Sequence, residues 1–142
     1  MKKTFFLLFV MLLVSCSTTI TKDAVKKPLF EVLTQQADGG ANINFYEILT
    51  EPNEIKMLQN DKKLRSKVSI LDVQKSNFVI LNMGEKSTGG YAITIGSVVE
   101  TDNSIIINVK ESLPAPDSNV TQGITYPFCV VKINSKKEII IK

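Results

Sequence analysis

Ser104-Ile105-Ile106-Ile107-Asn108-Val109-Lys110-Glu111 decides the fold class. In an extended chain, successive side chains point to opposite faces. Ile105, Ile107 and Val109 therefore fall on one side, and Ile106, Asn108 and Lys110 on the other. A sheet with one buried face follows. Outward from this run, short β-branched segments separated by Gly, Asn, Asp and Pro recur at residues 29–33, 43–49, 67–71, 77–83, 91–99, 124–133 and 138–141, which read as further strands. Asp38-Gly39-Gly40 signals a turn between the first two. Near the C-terminus, Phe128, Val130 and Lys132 alternate with Cys129, Val131 and Ile133. Lys132 marks the wetter side, so Cys129 is expected to point inward as a small hydrophobe whose thiol pKa is raised by burial.

One stretch breaks the β pattern: Thr50-Glu51-Pro52-Asn53-Glu54-Ile55-Lys56-Met57-Leu58-Gln59. Thr50 suits the cap of a first turn, proline is tolerated there, and Glu51 and Glu54 complement the positive end of a helix dipole. Ile55 and Leu58, three apart, would share the packed face. The spacing predicts a helix over 51–64. The chain thus reads as mainly β: an antiparallel two-layer β-sandwich-like domain of about seven strands with one short α-helix at an end or edge. The alternative arrangement is a single curved sheet with the helix on one face.

The N-terminus has a different character. Lys2 and Lys3 precede an apolar run of ten residues, 5–14, which is too short to span a bilayer and matches a secretory signal. Leu13-Val14-Ser15-Cys16 resembles the bacterial lipobox, whose cysteine receives diacylglycerol before cleavage. This resemblance implies a signal peptide over 1–15 and lipidation at Cys16; the polar, basic composition up to Pro28 reads as a flexible tether over 16–28, and the length that remains suits a single β-rich domain over 29–142. The lipobox resemblance also implies a lipid bilayer as partner through acylated Cys16, and residence in the bacterial cell envelope. Ser17 after the cysteine favours the outer membrane by the enteric sorting convention. Removing residues 1–15 leaves 15 basic against 14 acidic residues. A nearly neutral mature domain does not imply nucleic acid as a partner. With Cys16 acylated, Cys129 has no cysteine partner for an intrachain disulfide.

Composition also narrows the chemistry. The chain contains no histidine, so the commonest general base and zinc ligand is missing, and Cys–His or Ser–His–Asp sites cannot be built. Carboxylates are scattered singly between lysines, and Glu111 reads as a solvated residue at a strand end. No phosphate-binding glycine loop precedes a helix. The expectation is a non-enzyme with no cofactor, no metal and no small-molecule substrate.

Two segments stand above this background: Gly84-Glu85-Lys86-Ser87-Thr88-Gly89-Gly90-Tyr91, and Val120-Thr121-Gln122-Gly123-Ile124-Thr125-Tyr126-Pro127-Phe128. Together with Asp72-Val73-Gln74-Lys75-Ser76-Asn77-Phe78-Val79-Ile80 and Pro114-Ala115-Pro116, they resemble the PrcB C-terminal domain family. The family pattern is an aspartate-led strand, a Gly-x-x-x-Thr-Gly-Gly-Tyr loop, a proline-rich turn and a Thr-x-Pro-Tyr strand start. The resemblance covers about residues 69–133 and departs from the pattern at Ser87, where proline is common, and at Phe128, where tyrosine or another aromatic is usual.

The family is named for a lipoprotein subunit of a bacterial surface protease complex. The resemblance therefore implies an accessory or binding role in an exported protein complex, with a protease as candidate partner. Two uses of the Thr-Gly-Gly-Tyr loop are open. It is either a tight connection with Gly89 and Gly90 at positive φ and Tyr91 as the first core residue of its strand, or a contact surface. In the second case the protein-binding set is Lys86, Ser87, Thr88, Gly89, Gly90, Tyr91, Thr125, Pro127 and Phe128. The segments Thr88–Tyr91 and Pro127-Phe128 also resemble the inhibitory loops of chagasin-type cysteine-protease inhibitors, which implies direct inhibition as an alternative. A structural envelope lipoprotein is the third reading. The lipobox is testable at once: Cys16→Ala is expected to abolish metabolic palmitate labelling and block maturation, and labelling equal to wild type would refute the anchor.

Overall fold

A computed structural model describes residues 27–142. The expected signal peptide, Cys16 and all of the expected tether except residues 27 and 28 lie outside these residues. The described elements are β1 (Phe30–Gln36), β2 (Asn44–Leu49), α1 (Pro52–Met57) with a 3₁₀ turn over Leu58–Asn60, and α2 (Ile70–Lys75). They continue with β3 (Asn77–Met83), β4 (Lys86–Thr88), β5 (Ala92–Glu100), β6 (Ser104–Ser112), β7 (Gln122–Thr125), β8 (Phe128–Ile133) and β9 (Glu138–Ile141). Strands β1-β8-β3-β2 form an antiparallel sheet, β5-β6-β9 a second sheet and β4-β7 a two-stranded ribbon. Within the second sheet β5 and β6 are antiparallel, whereas β9 lies parallel to β6.

The two larger sheets pack face to face, because alternation loads one face of each with branched apolar side chains. Val79, Leu81 and Met83 of β3 and Cys129, Val131 and Ile133 of β8 meet Ile93, Ile95, Ile105, Ile107 and Ile139 of the second sheet. The faces assigned from the β6 pattern are the faces observed, with Ile105 and Ile107 fully buried. Cys129 is likewise buried, and burial pushes its thiol pKa up, outweighing the lowering effect of its contact with Thr94.

The four-stranded sheet is covered on its other face as well. Leu33, Leu49, Phe78 and Val130 pack against Ile55, Leu58, Leu64, Val68 and Val73 from the helical segments. The helical layer therefore lies over a sheet face rather than at an end or edge of the sandwich, and there are two short helices rather than one. This also corrects the assignment of a wet side to β8, where Val130 is buried and the Lys132 side chain is only 12% exposed. The lysine is tolerated because Glu31 lies at 2.8 Å and Asp72 at 3.6 Å.

Other departures from the sequence reading have local causes. The strand expected over 67–71 is absent; Ser69 instead caps α2. Its hydroxyl accepts the Asp72 amide at 3.1 Å, and the Asp72 carboxylate accepts the Ser69 amide at 2.9 Å. This reciprocal capping box satisfies two otherwise orphaned donors of the first turn. The helix expected over 51–64 stops at Met57 and continues as the 3₁₀ turn. Its cap is Glu51 rather than Thr50, and the Glu54 carboxylate accepts both of their amides at 3.2 and 3.3 Å. The strand expected over 124–133 is broken between β7 and β8 at Tyr126-Pro127, where proline supplies no ladder donor. Bulges interrupt β1 between Val32 and Thr34, and β5 between Ile95 and Ser97. The first re-aims Leu33 into the helical layer.

Asp72 joins the helix cap to the Lys132 ion pair. Burial raises its carboxyl pKa, but the Ser69 hydrogen bonds and the Lys132 charge outweigh that and leave it below the ordinary value of 3.8. Its stabilising contribution is present above the unfolded pKa and is lost as pH falls from there through the folded one. Asp72→Ala is expected to cost about 1–2 kcal/mol near neutral pH in urea unfolding, from the lost cap and weakened ion pair. The difference from wild type should shrink below pH 3.8.

Candidate functional site

Residues 84–91 are not all loop: Lys86–Thr88 forms β4 against β7, with Lys86 opposite Thr125 and Thr88 opposite Gln122. The ladder is irregular between these pairs, one residue of β4 standing opposite two of β7. Thr125 Oγ1 donates to the Thr88 carbonyl at 2.9 Å, and the Gly89 amide donates to the Thr121 carbonyl at 2.9 Å. Gly89 itself has no positive φ, contrary to the expectation for both glycines; Gly90 carries it, at +88°. A Cβ on Gly90 would also stand 2.8 Å from Pro114 Cβ and 3.0 Å from Val120 Cγ1. The Thr-Gly-Gly-Tyr segment, the proline turn and β7 thus form one body, closed by backbone approach at Gly90.

A second set of bonds attaches this body to the four-stranded sheet. The Asp38 carboxylate accepts the Tyr126 amide at 3.1 Å, and the Tyr126 carbonyl accepts the Gly40 amide at 2.9 Å. The Met83 amide donates to the Pro127 carbonyl at 3.0 Å, and the Tyr126 hydroxyl donates to Glu85 at 3.3 Å. Gly40 is held by proximity rather than by φ, since a Cβ there would lie 2.8 Å from both Asn82 Oδ1 and the Tyr126 carbonyl. Asp38, Glu85 and Tyr126 belong to this end of the molecule but were not among the residues expected to bind. The turn signal at Asp38-Gly39-Gly40 was legible in the sequence; its pairing with Tyr126, 88 positions away, was not.

The expected binding residues divide into three groups. Ser87 and Gly90 are exposed, Lys86 and Thr88 are half-buried at the ribbon, and Lys86 Nζ sits 5.7 Å from the Tyr91 ring centroid in a cation–π contact. Gly89 and Pro127 are buried and Thr125 is half-buried; Gly89 and Thr125 bond within the body, and the Pro127 carbonyl ties it to β3. Tyr91 and Phe128 are separated by the four-stranded sheet: Tyr91 packs on the sandwich core, Phe128 on the helical-layer cluster. Exposed apolar side chains at this end are Ile43 and Ile124, whose only sequence signal was their place in strand-like runs, and Leu113, which precedes the proline turn.

A family model, PrcB C-terminal, matches residues 77–134, from the start of β3 to just past β8. This segment is similar to the PrcB C-terminal family. The match contains both core strands of the four-stranded sheet, the whole ribbon and the proline turn, and so includes the motif segments that meet around Gly90, whereas Asp72, expected to lead a strand, precedes the match and lies in α2. The helical layer, β1, β2 and β9 lie outside it. No curated protein and no solved structure shows significant similarity to the chain. Among the described residues, no three His, Cys, Asp or Glu side chains group as metal ligands, and no helix is long and apolar enough to cross a membrane.

Gly90→Val is expected to destabilise the domain by about 2 kcal/mol or more, since strain at positive φ adds to collision with Pro114. Gly89→Ala, without positive φ and facing Thr121 at 3.3 Å, is expected to cost less. Thermal unfolding of the two variants tests this order.

Proposed function

We propose that the protein is a lipid-anchored, non-enzymatic binding subunit of an exported protein complex, of the protease-associated kind implied by its PrcB C-terminal segment. The single observation that carries the reading is the polarity of the molecule. Chain entry and the Thr-Gly-Gly-Tyr segment occupy opposite ends of β3. At one end the Pro28 carbonyl accepts Asn134 Nδ2 at 2.7 Å, beside Asn77, whose amide donates to the Ser135 carbonyl at 3.1 Å. At the other end Met83 leads into the ribbon, Gly90 and the Pro114 turn. Seven residues of strand separate these ends by about 20 Å.

An anchor at Cys16 would hold the first end towards a membrane and leave the motif loops facing away from it. Rigid scaffolds commonly carry recognition on such loops. Ser87 at the ribbon, flanked by Lys86 and Thr88, supplies polar contacts, while Leu113 and Ile124 supply exposed apolar area nearby in the same body. An accessory role is favoured over direct inhibition because Tyr91 and Phe128 lie on opposite sides of the sheet and do not form one wedge.

The test replaces Lys86, Ser87 and Thr88 together with alanine in the full-length tagged protein. Thermal stability is expected to fall by about 1 kcal/mol or less, chiefly through loss of the exposed cation–π contact. Capture of a mass-spectrometrically identified envelope protein should drop at least severalfold. Unchanged capture would leave the Thr-Gly-Gly-Tyr body as architecture.

A further inference from the structure

We propose that the surface formed by the first turn of α2 and the chain segment 27–29 docks on an anionic phospholipid bilayer. The inference rests on the lipid-anchor reading above but not on the identity of any protein partner. Ile70 is 80% exposed, the highest value among the large apolar side chains described, and Leu71 beside it is 50% exposed. Both stand at the start of α2, where the Ser69–Asp72 capping box fixes the turn and Lys132 fixes Asp72. Two apolar side chains are therefore held outward on an ordered base, so inserting them does not require the backbone to be ordered first.

Charge beside Leu71 favours an anionic surface, while Ile70 lines a neighbouring groove with Pro52, Lys56, Gln59 and Gln74. Leu71 and Lys75, four apart on one helix face, line a groove of about 710 Å³ with Lys27 and Pro28. Asp72 and Glu100 also line it, but their carboxylates are engaged by Lys132 and by Lys137, the latter at 2.9 Å. Neither Lys27 nor Lys75 forms an ion pair among the described residues. Leucine and isoleucine flanked by lysine stems suit the boundary between acyl chains and phosphate headgroups.

Chain length supplies the third reason for a bilayer rather than another occupant. Lys27 lies eleven residues from Cys16, a span of at most about 40 Å even when fully extended. An acylated Cys16 therefore keeps this face within about 40 Å of lipid, and the motif loops lie about 20 Å further along β3.

The experiment uses the acylated full-length protein carrying Leu71→Cys, labelled with bimane and reconstituted in phosphatidylethanolamine–phosphatidylglycerol vesicles with brominated acyl chains. Cys129 is buried and acylated Cys16 is blocked, which directs the label to position 71. Emission is expected to fall about twofold relative to unbrominated vesicles, because side chains of such surfaces reach the acyl boundary. The same label on Ser87→Cys should be unaffected. Adding Ile70→Ser, or replacing phosphatidylglycerol with phosphatidylcholine, should weaken the quenching at position 71. Protein that floats with the vesicles but shows equal emission changes at 71 and 87 overturns docking and leaves the anchor standing. Protein that does not float overturns both.

Discussion

Burial of β3 on both faces is the constraint from which the rest of the structure follows. Val79, Leu81 and Met83 occupy the sandwich core while Phe78 and Ile80 face the helical layer. Full burial of each such side chain contributes about 1.5–3 kcal/mol of transfer free energy, but only if two separate layers are recruited to cover one strand. Its backbone is paired on one side with β2 and on the other with β8. Polar side chains remain only towards its ends, and both are used. Asn82 Oδ1 accepts the Ala41 amide at 2.9 Å, and Asn77 Nδ2 donates to the Lys137 carbonyl at 3.0 Å. Each asparagine fastens a distant loop to the central strand, which suits a domain whose described cysteine is free and buried.

From this strand the molecule acquires two chemically different ends. Hydrogen bonds through Tyr126, Pro127 and Gly40 hold the ribbon, the proline turn and the Asp38 turn against the Met83 end. Those through Asn134 and Ser135 hold the Pro28 segment against the Asn77 end. The family match spans the core strands together with the motif end, and leaves the helical layer and flanking strands outside it. In the proposed reading this division is functional: recognition at the loops, with lipid at the opposite end and along α2.

Much of the fold was legible because period-two alternation reports directly on strand faces. β3 and β9 have the expected bounds, and β6 differs by one residue at its end. Legibility failed where a local hydrogen bond competes with β-propensity. Ser69 and Asp72 make a capping box, a spacing visible in the sequence but outweighed in the reading by Val68, Ile70 and Leu71. It failed again at β8, because a lysine in an alternating run ordinarily marks the solvent side. Glu31 and Asp72, which compensate its burial, come from β1 and α2. At the candidate site, the Thr-Gly-Gly-Tyr motif and its ordered companions were recognisable from residue identity. Which glycine takes positive φ, and that Phe128 faces away from Tyr91, were not.

The amino-acid order alone determined the β class, the inward thiol of Cys129, the absence of histidine and the likeness of the central segment to the PrcB C-terminal family. These depend on periodicity, composition and local motif, which need no partner across the chain. Tertiary structure decided that the helical segments cover the second face of the four-stranded sheet, that β9 runs parallel to β6, and that the motif loops lie opposite the segment at Pro28. Each of these depends on pairings between residues tens of positions apart. Such pairings are selected by the joint burial of several elements and leave no periodic trace in any one of them.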